Sequence, residues 1–162
     1  MRIVLQRVTS ARVTVDGQSV GAIAAGLVAL VGVTHTDTVA DAERLADKTA
    51  SLRLFADAER PFDRTVADIG GAVLCVSQFT LFGDVRRGNR PSWARAAAAA
   101  AAREIIAAYA ARLRHHELDV ATGVFGAHMH ITLDNDGPVT LILDSEELAR
   151  PRRRTVADDP GG

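Results

Sequence analysis

The sequence has few cysteines and lysines and no long apolar run. Its 162 residues include one cysteine, Cys75, and one lysine, Lys48. A lone cysteine forms no internal disulfide and cannot build a cysteine-based zinc site. The longest clean apolar run, residues 27–33, is the length of a strand and far below the ~20 residues of a membrane-spanning helix. We therefore expect neither a disulfide-stabilised scaffold nor a membrane protein.

The net charge and the length further limit the class of protein. The formal net charge is −1 at pH 7, which argues against a uniformly basic surface for non-specific nucleic-acid binding but leaves a local arginine patch open. The length predicts one compact domain that buries about two-thirds of its unfolded surface, and the tail-like composition after Ser145 places this domain at residues 1–145. Arg2 and Arg7 interrupt the start too early for the apolar region of a signal peptide, so we expect a cytoplasmic protein.

Alternation of apolar and polar residues predicts a first strand over residues 2–15. Asp16-Gly17 then predicts a tight hairpin turn, because both turn positions require positive φ. Further strands are predicted at residues 19–23, 27–33, 72–78, 119–122, 128–133 and 139–144. Turn chemistry at Asn135-Asp136-Gly137-Pro138 separates the last two strands.

Two segments predict helices. Thr38-Val39-Ala40-Asp41 resembles a capping box and opens a helix to about residue 53. Ser92 is expected to cap a longer helix to about residue 118, which includes seven consecutive alanines. This order predicts an α+β fold, a mixed or antiparallel sheet packed with two main helices. Residues 146–162 are predicted to form a disordered tail.

Histidine and cysteine side chains give weak indications of chemistry. His128 and His130 lie two residues apart on a predicted strand, where they share a face and could chelate a metal. Because the sequence signals no third ligand nearby, we predict no metal site. Cys75 lies inside an apolar strand, where cysteine usually serves as a small hydrophobic side chain.

Ser77 and Thr80 lie where a buried strand leaves the sheet, a position that often carries functional groups. The same pattern is also typical of an ordinary core strand end. The sequence contains no Gly-x-Ser-x-Gly elbow and no obvious triad, so classical serine hydrolysis is not indicated.

Two other segments have two interpretations each. Gly137-Pro138 fits an ordinary turn, or a cis peptide that directs backbone carbonyls at a ligand. A polar, glycine-containing loop fits phosphate binding, since guanidinium groups match phosphate geometry, or a merely solvated loop. Its arginines are Arg86, Arg87 and Arg90.

Read together, these segments resemble one known family. Ser77-Gln78-Phe79-Thr80-Leu81 matches one of its signature motifs, and Asn135-Asp136-Gly137-Pro138-Val139-Thr140 matches the other. Residues 1–8, 13–17 and 122–127 are also similar to family segments. On these residues the chain resembles the D-aminoacyl-tRNA deacylase family from Met1 to about Ser145.

The resemblance implies an enzyme that hydrolyses the ester joining a D-amino acid, or glycine, to the 3′ end of a tRNA, without metal or cofactor. It implies a deacylase-like fold and a homodimer in which Gly137-Pro138 of each subunit enters the partner's active site. In the family this peptide is cis, and it excludes L-amino acids because their side chains would strike the backbone. Glycine has no side chain to reject.

The resemblance also assigns roles at the reacting ester. Ser77, Gln78 and Phe79 are expected to shape the pocket, and backbone N–H groups around Phe79 and Thr80 to hold the developing oxyanion. The Thr80 hydroxyl is a nucleophile candidate, but no base is visible beside it. We favour attack by water assisted by the terminal ribose hydroxyl of the tRNA.

Outside the ester, the resemblance implies contacts with the partner and the tRNA. Arg7 is expected to brace the partner's Gly-Pro segment, and Phe125 and Met129 to line the pocket for the terminal adenosine. The tRNA phosphates are assigned to Arg86, Arg87 and Arg90. The alternative from another class is a noncatalytic nucleic-acid-binding protein of the same fold.

Overall fold

A computed structural model describes residues 1–150, which form six strands and three α-helices. The strands are β1 (Arg2–Val15), β2 (Gln18–Ile23), β3 (Gly26–Gly32), β4 (Ala72–Ser77), β5 (Asp119–Thr122) and β6 (His130–Asp144). The helices are α1 (Val39–Ser51), α2 (Ala99–His115) and α3 (Ser145–Ala149), and a 3₁₀ helix (Phe79–Phe82) follows β4. Within these residues no helix is both long and apolar enough to cross a membrane.

The first strand, β1, organises a mixed sheet. Its first half pairs antiparallel with β3 and its second half with β2, across the predicted Asp16-Gly17 turn. Strand β6 runs antiparallel along the other edge of β1, while β3, β4 and β5 are mutually parallel. The order is β2-β1-β3-β4-β5 with β6 added on β1, so the predicted α+β fold with a mixed sheet is confirmed.

Helices α1 and α2 cover one face of this sheet. The predicted capping box opens α1, with the Asp41 N–H donating to the Thr38 hydroxyl at 3.3 Å and the Thr38 N–H to the Asp41 carboxylate at 2.9 Å. The fully buried Tyr109 hydroxyl of α2 lies 2.9 Å from the Thr49 hydroxyl of α1, which donates to the Leu45 carbonyl. The helices are thus joined by a satisfied buried polar contact within an apolar layer.

A second, smaller core lies on the opposite face of the sheet. Here the second half of β1, with β2 and the start of β6, packs on β3 and β4. Its fully buried members include Val13, Val28 and Leu74. Strand β2 closely approaches β5, since a Cβ on Gly21 would lie 2.7 Å from the Thr122 carbonyl oxygen. Only glycine permits this approach.

The prediction that α2 begins at Ser92 is wrong, because the helix begins at Ala99. The preceding segment pairs with the end of β3 instead: the Ala97 N–H donates to the Val33 carbonyl at 3.0 Å. This tertiary pairing outweighs the helix propensity of the first alanines. At its other end α2 stops at His115, before the predicted residue 118.

The predicted turn between two C-terminal strands is also wrong, because β6 is continuous. Val8 pairs with Asn135 and Gln6 with Thr140, so four β6 residues lie opposite Arg7 alone. This irregularity displaces the Gly137-Pro138 segment without ending the strand. The disordered tail is predicted to start at residue 146, but residues up to Ala149 belong to α3. Residues 151–162 of the predicted tail lie outside the described residues.

Candidate functional site

A pocket of about 300 Å³ opens at the carboxyl ends of the parallel strands β3 and β4. Val31 and Val33 form its floor, and Ser77 marks the point where β4 leaves the sheet. Ligands commonly bind beyond the carboxyl ends of parallel strands, where the backbone diverges into loops. The pocket is lined mainly by apolar and small side chains, with a few polar groups at one end.

The polar end is built by the predicted motif. The Gln78 N–H donates to the Val31 carbonyl at 2.7 Å, which fixes the chain as it passes from β4 into the 3₁₀ helix. Ser77, Gln78 and Phe79 all line the pocket, and their expected role at the reacting ester stays a prediction. The N–H groups of Phe79 and Thr80 are the first two of the 3₁₀ helix and have no backbone acceptor within the described residues.

Thr80 is placed differently from its three neighbours. Its side chain does not line the pocket, and its hydroxyl accepts a hydrogen bond from the Gln78 side-chain amide. Among the described residues, no His, Asp or Glu forms a hydrogen bond with this hydroxyl. A threonine needs such a base to become a nucleophile, so the observed contact suits a role in orienting Gln78.

Phe125 and Met129 line the same pocket, and their expected contact with the terminal adenosine stays a prediction. A Cβ on Gly123 would lie 2.5 Å from the Met129 sulfur, so the thioether rests directly on the backbone. The Arg103 guanidinium carbon lies 4.8 Å from the Phe125 ring centroid. The Phe125 ring, held by this cation–π contact, and the Met129 thioether together form an apolar wall that suits a flat ring.

The sequence reasoning missed the alanines of the pocket wall. Their small side chains leave the cavity open where larger ones would fill it. The wall-forming members of the run are Ala96, Ala97, Ala99 and Ala102. The run predicted a helix, and no feature within it signalled that its first residues would pair with β3.

Gly137 and Pro138 lie away from this pocket within one chain. Their peptide bond is cis, and the expected contact of its carbonyls with a ligand stays a prediction. The adjacent Arg7 pairs with Leu27 of β3, which lies four residues before Val31 and six before Val33. At about 3.3 Å per residue these offsets correspond to ~13–20 Å along the strand. The segment is therefore at the opposite end of β3 from its own pocket.

Arg7 holds the Gly-Pro segment of its own chain. Its guanidinium donates to the Asp136 carbonyl at 3.1 Å and to the Leu54 carbonyl at 2.5 Å, and lies 2.9 Å from the Asp136 carboxylate. The Asn135 amide donates back to the Arg7 carbonyl at 2.8 Å. The expected contact of Arg7 with a partner's segment stays a prediction.

The arginines of the loop after the 3₁₀ helix are not equivalent. Arg86 binds Asp84 through several hydrogen bonds, which hold the pKa of that carboxyl well below its usual range. Arg87 and Arg90 form no salt bridge and no side-chain hydrogen bond within residues 1–150. All three side chains lie outside the pocket, and their contact with phosphate stays a prediction.

The remaining candidates are the cysteine and the two neighbouring histidines, and their surroundings indicate no chemical role. Burial raises the pKa of Cys75 to about 12, so this thiol serves as a small apolar side chain, as predicted. The rings of His128 and His130 lie 4.9 Å apart, but the predicted shared strand face is wrong, because β6 begins at His130 and His128 precedes it. Within the part of the chain that the structure describes, no three His, Cys, Asp or Glu side chains are grouped to hold a metal ion.

Over nearly its whole length the chain is similar in sequence to known proteins. The chain is 56% identical over 153 residues to a D-aminoacyl-tRNA deacylase of Chloroflexus aurantiacus, covering 94% of this chain and 96% of the relative. It is 54% identical to a D-aminoacyl-tRNA deacylase of Thermus aquaticus, covering 91% and 97%.

Solved structures give the same fold. One, described as the c-Myc DNA Unwinding Element Binding Protein, superposes with a TM-score of 0.82 at 38% identity, over 89% of this chain and 98% of that one. A probable eukaryotic D-amino acid tRNA deacylase, 14% identical with a TM-score of 0.71 over 88% and 97% of the two chains, shares the fold. The family model described as D-Tyr-tRNA(Tyr) deacylase matches residues 4–144, and the chain therefore belongs to that family.

Proposed function

We propose that the protein hydrolyses the ester bond of D-aminoacyl-tRNA, releasing the D-amino acid and free tRNA, and that it also removes glycine mischarged on alanine tRNA. The observation that carries this proposal is the pocket at the end of β4, where Ser77, Gln78 and Phe79 meet the Phe125 and Met129 wall. The names of relatives at 51–56% identity support the same activity.

In this proposal the protein supplies position and electrostatics. The terminal adenosine lies against Phe125 and Met129, and the ester carbonyl faces the N–H groups of Phe79 and Thr80. Donors aimed at the developing oxyanion stabilise it more than they stabilise the ground-state carbonyl. Water attacks the carbonyl carbon with help from the terminal ribose hydroxyl, the C–O bond to the ribose breaks, and the ribose oxygen leaves with a proton.

Selection of D-amino acids is assigned to Gly137 and Pro138 of a second subunit. In one chain they lie at the far end of β3 from the pocket, and both are exposed. They belong to β6, which within residues 1–150 pairs only with β1 and leaves Leu141 and Ile142 exposed. A homodimer formed through β6 would cover this edge and deliver the segment to the partner's pocket. An L side chain would then strike that backbone, whereas a D side chain or glycine would not.

A noncatalytic nucleic-acid-binding function is the second candidate. The structural neighbour described as a DNA unwinding element binding protein, 38% identical, favours it. The exposed Arg87 and Arg90 would serve that function equally well. Turnover on a charged tRNA separates the two candidates.

The test is deacylation of tRNA charged with D-tyrosine, L-tyrosine or glycine by the purified protein, with and without EDTA. We expect release of D-tyrosine and glycine, with L-tyrosine retained and no effect of the chelator. Absence of release from all three, with the protein folded and dimeric, would overturn the deacylase proposal in favour of nucleic-acid binding. Loss of activity in EDTA would contradict the metal-free mechanism.

A further inference from the structure

Trp93 lies beside the pocket without lining it. It is the one tryptophan of the sequence, and its side chain is 41% exposed. A Cβ on Gly83 would lie 2.6 Å from the indole, so the ring rests on the Gly83 backbone. Phe79, which is 56% exposed and lines the pocket, meets the indole edge-to-face at a centroid distance of 5.5 Å and an interplanar angle of 80°.

The loop between these residues holds the indole in place. Asp84 and Ser92 exchange two backbone hydrogen bonds of 2.8 and 2.9 Å, which close residues 84–92 into a loop with Trp93 at its base. The next segment is fixed as well, because the Thr34 hydroxyl donates to the Arg95 carbonyl at 2.5 Å. A large aromatic ring is thus held rigidly at the surface instead of being buried.

We propose that Trp93 and Phe79 form a stacking platform for the unpaired bases that precede the terminal adenosine of the tRNA. This inference rests on the proposed function, since the terminal adenosine in the pocket sets the direction of the strand. The platform is continuous with the pocket through Phe79. The exposed guanidinium groups of Arg87 and Arg90 lie on the loop closed beside it.

The chemistry of this surface fits single-stranded nucleic acid. Aromatic faces stack on any base, and nearby cations follow the phosphate backbone. A protein partner would gain little from exposed arginines around so small an apolar patch, and Asp84 is already neutralised by Arg86. The adenosine wall at Phe125 then holds the last nucleotide, and Trp93 the nucleotides before it.

Fluorescence of the lone tryptophan tests the platform without any hydrolysis. An RNA oligonucleotide ending in CCA is titrated into the protein, in parallel with one whose two cytosines are replaced by abasic units. Stacking predicts quenching of Trp93 by the first oligonucleotide and little by the second. Equal quenching by both, or none from either at concentrations where binding is seen by another method, would overturn the proposal.

Hydrolysis by variants supplies the second test. Trp93→Ala should lower kcat/KM for D-tyrosyl-tRNA about fivefold or more, mainly through KM, while Trp93→Phe should retain most of the activity. Hydrolysis of the D-tyrosyl ester of adenosine, which lacks the preceding bases, should fall clearly less in Trp93→Ala than hydrolysis of D-tyrosyl-tRNA does. An equal loss on both substrates would show a merely structural role and overturn the platform. If the unaltered protein cleaves neither ester, the proposed function fails, and the oligonucleotide titration still decides the platform.

Discussion

The two signature motifs have opposite surroundings within one chain. Residues 77–79 line a pocket, and the Gln78 N–H is fixed by the Val31 carbonyl. Gly137 and Pro138 lie exposed at the other end of β3, held only by their neighbours around Arg7. Residues 77–79 therefore line the pocket, whereas Gly137 and Pro138 of the same chain do not. In the proposed dimer, each chain would contribute one motif to each of two sites.

The strongest way to break this comparison is to separate the subunits. Ile142 is 64% exposed on β6, which pairs only with β1 among the described residues, so Ile142→Arg leaves the interior of the subunit unchanged. Burying that charge in an interface is unfavourable, and we expect monomers. Hydrolysis of D-tyrosyl-tRNA should fall by about a hundredfold or more, because the backbone carbonyls of the partner's Gly-Pro segment, which in the proposed dimer also face the substrate, no longer position it. Sedimentation and kcat/KM measure both effects.

Val20→Arg is the matched control for this substitution. Val20 is also an exposed strand residue, but it lies on β2, away from β6. We expect this variant to stay dimeric and active. If Ile142→Arg gives active monomers, the Gly-Pro segment is not delivered by a partner. Far-UV circular dichroism of both variants checks that they fold.

A smaller change tests the Gly-Pro segment directly. Gly137→Ala adds a methyl group that would lie 2.9 Å from the Asn135 side-chain oxygen, which can shift by a small amount. In the proposed dimer this methyl faces the partner's substrate, and crowding of about 1–3 kcal/mol would lower kcat/KM for D-tyrosyl-tRNA some five- to hundredfold. The dimer mass and Tm should be unchanged. Full activity with a lowered Tm would indicate that Gly137 serves folding alone.

The sequence predicted local features well and distant ones poorly. The Thr38 capping box and the Asp16-Gly17 turn depend on neighbouring residues, and both are confirmed. The start of α2 depends on pairing between Ala97 and Val33, 64 residues apart, which no local propensity expresses. The continuity of β6 likewise depends on its long pairing with β1, which carries the strand past Gly137-Pro138.

The candidate site divides in the same way. Ser77, Gln78 and Phe79 could be assigned from the motif because they are consecutive at a strand end. The alanines of the wall and Trp93 could not, because their role depends on which segments fold against them. The pairing of Arg86 with Asp84 was also missed, although the two residues are only two positions apart.

The arginines of the loop beside the pocket provide a further test, because only Arg86 of the three is bound to a carboxylate within the described part of the chain. Arg87→Gln with Arg90→Gln removes two exposed cations, whereas Arg86→Gln removes one already bound to Asp84. With two fewer phosphate contacts, the dependence of log Kd on log salt should become shallower by about 1.4 to 1.8. Arg86→Gln should leave this slope nearly unchanged. Equal effects of Arg86 and Arg87 single variants would contradict the distinction drawn from the salt bridge.

The smallest effect is expected at Thr80, which directly follows the three motif residues that line the pocket and does not line it itself. Its hydroxyl accepts a hydrogen bond from the Gln78 amide, so Thr80→Ala removes an orienting contact and leaves the backbone N–H donors in place. We expect kcat to fall less than about tenfold, far below the ~10²–10⁴-fold associated with losing a catalytic proton-transfer group. Thr80→Ser keeps a hydroxyl and should restore the activity.

Complete loss in Thr80→Ala, together with a covalent aminoacyl adduct on the unaltered protein by mass spectrometry, would instead make Thr80 the nucleophile. Retained activity would mean that attack depends on groups the substrate brings, and that the protein's part is the arrangement of Gln78, Phe79 and the partner's segment.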